Sequence, residues 1–289
     1  MSAGLAQDRT TLDARPIGAT FGVELTDFRI AGDLPEAEVD AFRAALHRGG
    51  VLLLRDVPND PAALVAFSKR LGSLEMHSAS AHTHPDFPEI FCVGNYADDR
   101  VRANFATGVE QWHADSSFRD TPSACSLFYG VICPPEGGET WLLDAVTAYA
   151  ELPPALRARI AWLDAVHDLN TLSEWNRRNT PGRPPLSDEA RRRFPPVSQP
   201  MVRRHPATGR ASLFICPAVI SHVEGLPPAE GHALIAEVMA HATQDRYIYR
   251  HRWRAGDLVV WDNLSTLHTA TLFDHEKHQR LMFRTTVSG

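Results

Sequence analysis

The chain has 289 residues, 44% hydrophobic and 22% charged, an ordinary globular balance that allows a sizeable buried core. Its formal net charge of −6 disfavours a nucleic-acid partner, because phosphate binding needs a basic face. No apolar run reaches membrane-spanning length, and residues 1–16 lack the apolar centre of a signal peptide, so no membrane partner is expected and the expected address is cytoplasmic.

The first elements read as helical. Pro35-Glu36 opens a periodic stretch with Val39, Phe42 and Leu46 that ends at Gly49-Gly50. Val51 to Leu54 is a short, wholly apolar strand. Asp60-Pro61 then reads as an N-cap and first helical residue, with Leu64, Phe67 and Leu71 on one face and Gly72 as the stop. From Ile90 onward short apolar or alternating runs take over: 90–93, 124–131, 140–143, 212–215, 247–253, 258–261 and 281–287. Helices are expected at 144–163 and 228–242, and the proline- and arginine-rich stretch 181–200 as a surface excursion. The arginine runs 177–178 and 191–193 read as solvated faces. Cys92, Cys125, Cys133 and Cys216 form no C-x-x-C pair and read as free thiols, mostly buried. The sum is a mainly β fold with helical insertions, a sandwich or barrel.

Chemistry enters at Gln111-Trp112-His113-Ala114-Asp115. On an extended chain, residues two apart share a face, so His113 and Asp115 can grip one ion. A second histidine would complete a two-His, one-carboxylate triad, which leaves positions open on iron(II) for oxygen and substrate. Among 14 histidines, His268 is singled out because it follows the strand and turn Val259-Val260-Trp261-Asp262-Asn263. Beyond it, Arg280 and Arg284 share one strand face, with Met282 between them. An arginine beside a metal site suits a dicarboxylate, and Thr140, after Gly137-Gly138-Glu139, can add a hydroxyl donor. Triad, arginine and hydroxyl together describe a site for 2-oxoglutarate. Trp112 faces away from the triad and reads as core, and Asp262-Asn263 read as structural supports of the loop before His268.

The ordered set Trp112-His113-x-Asp115, Gly137-Gly138-x-Thr140, Trp261-Asp262-Asn263 with His268, and Arg280-x-x-x-Arg284 resembles the taurine dioxygenase (TauD/TfdA) family across residues 15–287. That resemblance implies an Fe(II)- and 2-oxoglutarate-dependent dioxygenase consuming O2. It implies a double-stranded β-helix (jelly-roll) of the clavaminate synthase-like kind, one domain over residues 1–289, with 1–15 as a disordered tail. By the same resemblance His113, Asp115 and His268 bind the metal, and Thr140 and Arg280 hold the far carboxylate of 2-oxoglutarate. Arg284 and His77 would meet a small anionic organic substrate, and a homo-oligomer is implied. The segments 112–118, 221–227 and 249–253 are most similar to members acting on aryloxyalkanoates such as 2,4-dichlorophenoxyacetate. The tract 76–109 departs from those members, which leaves taurine or another alkylsulfonate, or tailoring of a specialised metabolite, as alternatives. A zinc hydrolase could use the same three ligands, but no H-E-x-x-H pattern supplies its base. A non-catalytic jelly-roll binder would not need the triad.

Overall fold

Local chemistry sets the first helices. In the computed structural model, which describes residues 12–77, 80–104, 107, 110–179 and 183–289, helices span Glu36–Gly49 and Pro61–Leu71. The first carries Glu36 and Glu38 in its opening turn and His47 and Arg48 in its last, matching the helix dipole. The second opens on Asp60, whose carboxylate accepts from the Ala63 amide at 3.0 Å, a cap worth about 1 kcal/mol. Between them, Val51–Leu54 is a strand buried at every residue.

Seven strands form the larger sheet, in the order Ala14–Pro16, Val23–Leu25, Val51–Leu54, Leu258–Asp262, Cys125–Ile132, Leu281–Val287 and Phe91–Gly94. A smaller sheet runs Ile248–His251, Thr140–Asp144, Thr266–Ala270. Period-two alternation assigns the faces. Val51, Leu53, Phe128, Val259, Trp261 and Met282 of the large sheet pack with Leu142 of the small sheet and Trp253, filling the space between the sheets. Leu52, Leu54, Leu127, Val260 and Phe283 point the other way, onto Phe42 and Phe67 of the two helices. The outer face of the small sheet, with Leu143 and Leu267, is covered by Leu234 and Val238 of helix Pro228–Ala242.

That helix belongs to an excursion, residues 145–247, which leaves the small sheet at Asp144. It returns at Ile248, paired directly with Leu143. The excursion has its own three-stranded sheet, Ile220–Val223, Asp164–His167 and Val197–Pro200. It also touches the loop after Asp115: Phe194 meets Phe118 edge-on at 5.3 Å, and the Gln199 amide donates to the Arg119 carbonyl at 2.7 Å.

Several expectations need adjustment. The helix expected over 144–163 is two short ones, Ala145–Ala150 and Pro154–Ile160, because Pro153 and Pro154 interrupt the backbone ladder. The stretch 181–200 holds a helix, Asp188–Arg193, capped by Ser187, and a strand, Val197–Pro200; residues 180–182 lie outside the described residues. The strand carrying His268 was not expected, nor was helix Leu169–Asn179. Of the expected tail, residues 1–11 lie outside the described residues. Ala14 and Arg15 are instead in the edge strand, where Arg15 pairs with Glu24 at 2.7 Å. Arg177, Arg178 and Arg191 to Arg193 are exposed; Cys92, Cys125 and Cys216 are buried free thiols and Cys133 is half-buried. No helix among the described residues is long and apolar enough to cross a membrane.

Candidate metal centre

His113 and His268 face each other across a two-residue antiparallel bridge. Each backbone amide donates to the other's carbonyl, at 2.9 and 2.8 Å, and the ring centroids lie 4.2 Å apart. Backbone pairing thus fixes the separation of two ligands drawn from distant parts of the chain. Asp115 completes the group, with a ligand atom from each of the three residues within 4.8 Å of the others. The centre lies between the sheets: His268 comes from the small one, and Asp115 is tied to the large one through Ser126 and Arg284.

Protonation states suit a cation. His113 Nδ1 donates to the Gln111 carbonyl at 2.7 Å, which leaves the lone pair on Nε2. Burial lowers the His113 pKa, and burial with the neighbouring His113 pushes His268 down to about 3. Burial alone would raise the Asp115 pKa, but Arg284, both imidazoles and the Ser126 hydroxyl outweigh it and hold the carboxyl below its usual range. Two neutral imidazoles and one carboxylate are the donor set a divalent ion needs. Ser126 Oγ donates to Asp115 Oδ2 at 2.6 Å, Asn263 Nδ2 donates to Ser126 Oγ at 3.1 Å, and Asn263 Oδ1 accepts the Asp115 amide at 3.0 Å. Asn263 therefore supports the metal segment itself, not only the turn before His268.

A second cluster, His47, His205 and Asp262, also brings three donors together. There His205 Nδ1 accepts from the amides of Ala207 and Thr208, so Nε2 keeps the ring proton and gives it to Asp262 at 2.9 Å. It has no lone pair left for an ion, and the cluster is a hydrogen-bonded support.

Arg280 is 3% exposed, and no carboxylate pairs with it among the described residues. Among the described residues the guanidinium makes one long hydrogen bond, 3.4 Å to the Gly138 carbonyl, and Nε has no partner. Burial pushes its pKa down to about 10. A buried cation in this condition fits an incoming anion. Gly138, at φ 63°, leaves room: a Cβ there would stand 3.4 Å from Arg280 Nε. Thr140 Oγ1 accepts from Trp253 Nε1 at 3.0 Å, so its own proton is free to donate. Asn95 sets the approach to Arg280, accepting its amide at 2.7 Å and donating to the carbonyls of His275 and His278. No sequence signal marked Asn95 or Ser126.

Arg284, the anion contact that the resemblance implied, lies beside the triad. Its NH1 donates to Asp115 Oδ1 at 2.8 Å, and the guanidinium lies 5.5 Å from the Phe91 ring centroid. His77 stacks on the same ring, centroids 3.7 Å apart and planes 15° from parallel. Burial, with Arg284 next, lowers the His77 pKa to about 3. The two residues named for substrate therefore share one aromatic platform beside the metal ligands. Trp112 packs into the core of the excursion, away from the triad.

Comparison with known proteins agrees with this geometry. The family described as taurine catabolism dioxygenase TauD, TfdA matches residues 13–286. The chain is 35% identical to an alpha-ketoglutarate-dependent 2,4-dichlorophenoxyacetate dioxygenase of Cupriavidus pinatubonensis, over 95% of this chain and 97% of that one. It is 32% identical to an (S)-phenoxypropionate/alpha-ketoglutarate-dioxygenase of Sphingobium herbicidovorans, over 96% and 95%. The crystal structure of AAD-2 in complex with Mn(II) and N-oxalylglycine superposes with a TM-score of 0.81 at 28% identity, covering 96% of this chain and 98% of that one. With a family match over residues 13–286 and a relative 35% identical over 95% of this sequence, the chain belongs to the TauD/TfdA family of dioxygenases.

Proposed function

We propose that the protein is an iron(II)- and 2-oxoglutarate-dependent dioxygenase that hydroxylates, and through hydroxylation can cleave, a small anionic organic acid. An aryloxyalkanoate such as 2,4-dichlorophenoxyacetate is the first substrate to test, from the relatives that act on such acids. The observation that carries the reading is Arg280, a buried cation with no carboxylate partner among the described residues, four residues before the Arg284 that donates to Asp115 of the triad. The two sheets would be the halves of a double-stranded β-helix, the jelly-roll of clavaminate synthase-like folds, in a single domain.

His113, Asp115 and His268 would hold iron(II). When bound, the iron activates O2, one atom of which goes to succinate as 2-oxoglutarate loses carbon dioxide and the other to the substrate carbon. The chain's part is to bind and orient. Arg280 and the Thr140 hydroxyl, both buried, would take the far carboxylate of 2-oxoglutarate through charge-assisted hydrogen bonds. The stacked rings of His77 and Phe91 offer a flat wall for an aryl group, and Arg284, whose Nε is unpartnered, offers a donor to an anionic head.

The test is anaerobic addition of iron(II) and 2-oxoglutarate, read as a visible metal-to-ligand charge-transfer band, then oxygen uptake triggered by candidate acids. The band should form in wild type, vanish in His113→Ala and shift on adding the correct acid. A wild type without the band, or a band unchanged in His113→Ala, refutes the reading.

A further inference from the structure

The residue after the carboxylate ligand is in an unusual conformation. Ser116 has φ 55°, in the left-handed region, and among described non-glycine residues only Asp56 shares it. Aspartate tolerates that region through its short polar side chain, whereas serine has no such preference. The chain turns sharply there, with the Arg119 amide donating back to the Ser116 carbonyl at 3.0 Å. This turn follows directly on Asp115, just beyond the pairing of His113 with His268.

Glu75 holds Ser116 in place. Ser116 Oγ donates to Glu75 Oε2 at 2.7 Å, Ser123 Oγ donates to Oε1 at 2.7 Å, and Arg119 NH2 lies 3.3 Å from Oε2. The carboxylate is nearly buried, at 9% side-chain exposure. Its own backbone is anchored: the Glu75 amide donates to the Thr286 carbonyl at 2.8 Å, and Leu74 bridges Val287. Those partners end the strand Leu281–Val287, which also carries Arg284. Two residues beyond Glu75 comes His77. One residue, through its carboxylate and its backbone amide, therefore ties the metal-ligand turn to the strand of Arg284, two residues before His77.

We propose that Glu75 is a positioning residue for the metal centre, acting through Ser116. It clamps the Ser116 hydroxyl so that the left-handed turn persists and Asp115 stays aimed between His113 and His268. The proposal rests on the reading of Asp115 as a metal ligand. A non-glycine residue is disfavoured in that region by roughly 1–2 kcal/mol, which converts to about five- to thirtyfold in an equilibrium constant at 298 K. Without the clamp, Ser116 relaxes and Asp115 must be re-aimed each time metal binds.

Glycine at 116 separates this mechanism from general support, because glycine adopts positive φ without strain and needs no clamp. The experiment is calorimetric titration of the metal-free protein with Mn(II), in wild type, Glu75→Ala, Ser116→Ala, Ser116→Gly and the double variant Glu75→Ala/Ser116→Gly. Glu75→Ala and Ser116→Ala should bind Mn(II) about five- to thirtyfold more weakly. Ser116→Gly and the double variant should stay within about threefold of wild type. If the double variant is as weak as Glu75→Ala, or Ser116→Ala binds as wild type does, the clamp is wrong. If Glu75→Ala does not fold, the contrast between Ser116→Ala and Ser116→Gly decides alone. A wild type that takes no Mn(II) overturns the metal reading itself, and the clamp with it.

Discussion

Replacing Arg280 with methionine should stabilise the ligand-free protein while removing its response to 2-oxoglutarate. Burial lowers the Arg280 pKa from 12.5 to about 10, and at about 1.4 kcal/mol per pH unit the cation is held at a cost of roughly 3 kcal/mol. Methionine fills a similar unbranched volume without charge. It gives up only the long hydrogen bond to Gly138 and the guanidinium's contact with Phe128, 5.6 Å from the ring centroid. Replacing a buried ion by an apolar side chain is often neutral to stabilising by about 1–4 kcal/mol, so a net gain of about 1–2 kcal/mol is expected. Urea unfolding of the metal-free proteins measures it. Repeating the titration with Mn(II), with and without 2-oxoglutarate, gives the second half. At a hundred times its Kd, 2-oxoglutarate should add about 2.7 kcal/mol to wild type and almost nothing to Arg280→Met. A ligand-free variant less stable than wild type by more than about 1 kcal/mol would mean that the charge is compensated after all. An undiminished gain from 2-oxoglutarate would mean that the dicarboxylate does not sit on Arg280.

Three further outcomes follow from the same geometry. Ser126→Ala removes the 2.6 Å donor to Asp115 Oδ2 and should weaken Mn(II) binding about tenfold by calorimetry, against no change if Ser126 is passive. Gly138→Ala places a Cβ at φ 63°, 3.1 Å from Pro134 Cγ and 3.4 Å from Arg280 Nε. It should raise the KM for 2-oxoglutarate about tenfold while the substrate KM stays near wild type, and equal changes in both would argue against it. Burial, then Arg203, lowers the His167 pKa from 6.5 to about 4, so between those pH values the unfolded state binds more protons than the folded one. Stability is then complete above pH 6.5 and falls as the pH drops toward 4, by about 2 kcal/mol at pH 5. His167→Phe should lose that much less between pH 7 and pH 5, measured by urea midpoints, and identical losses would exclude His167 as the cause.

What the sequence made legible is what short spacing encodes. His113 and Asp115 announce themselves two residues apart, and the apolar run 51–54 and the Asp60 cap are local signals that the fold keeps. His268 was found from its setting, after the turn at Asp262-Asn263, although its strand was not, because Thr266–Ala270 lacks strict alternation. The supports were out of reach for a different reason. Ser126, Asn263 and Glu75 act across 11, 148 and 41 residues, and a serine or asparagine carries no pattern that says which distant carboxylate it will meet. Arg284 is the instructive case. Its face on the strand was readable, yet its pairing with Asp115 depends on a distant turn meeting that strand, which no local signal reports.

The excursion's two ends have a consequence for how this fold diversifies. Leaving at Asp144 and returning at Ile248, paired with Leu143, the chain closes its longest detour across a single ladder step. Closing such a loop becomes only slowly costlier as it lengthens. Material can therefore be added or removed there while Thr140 and His268 keep their places in the same small sheet. That seam is a place where the segment packed outside the small sheet can be exchanged, and a chimaera joined there has only one ladder step to match.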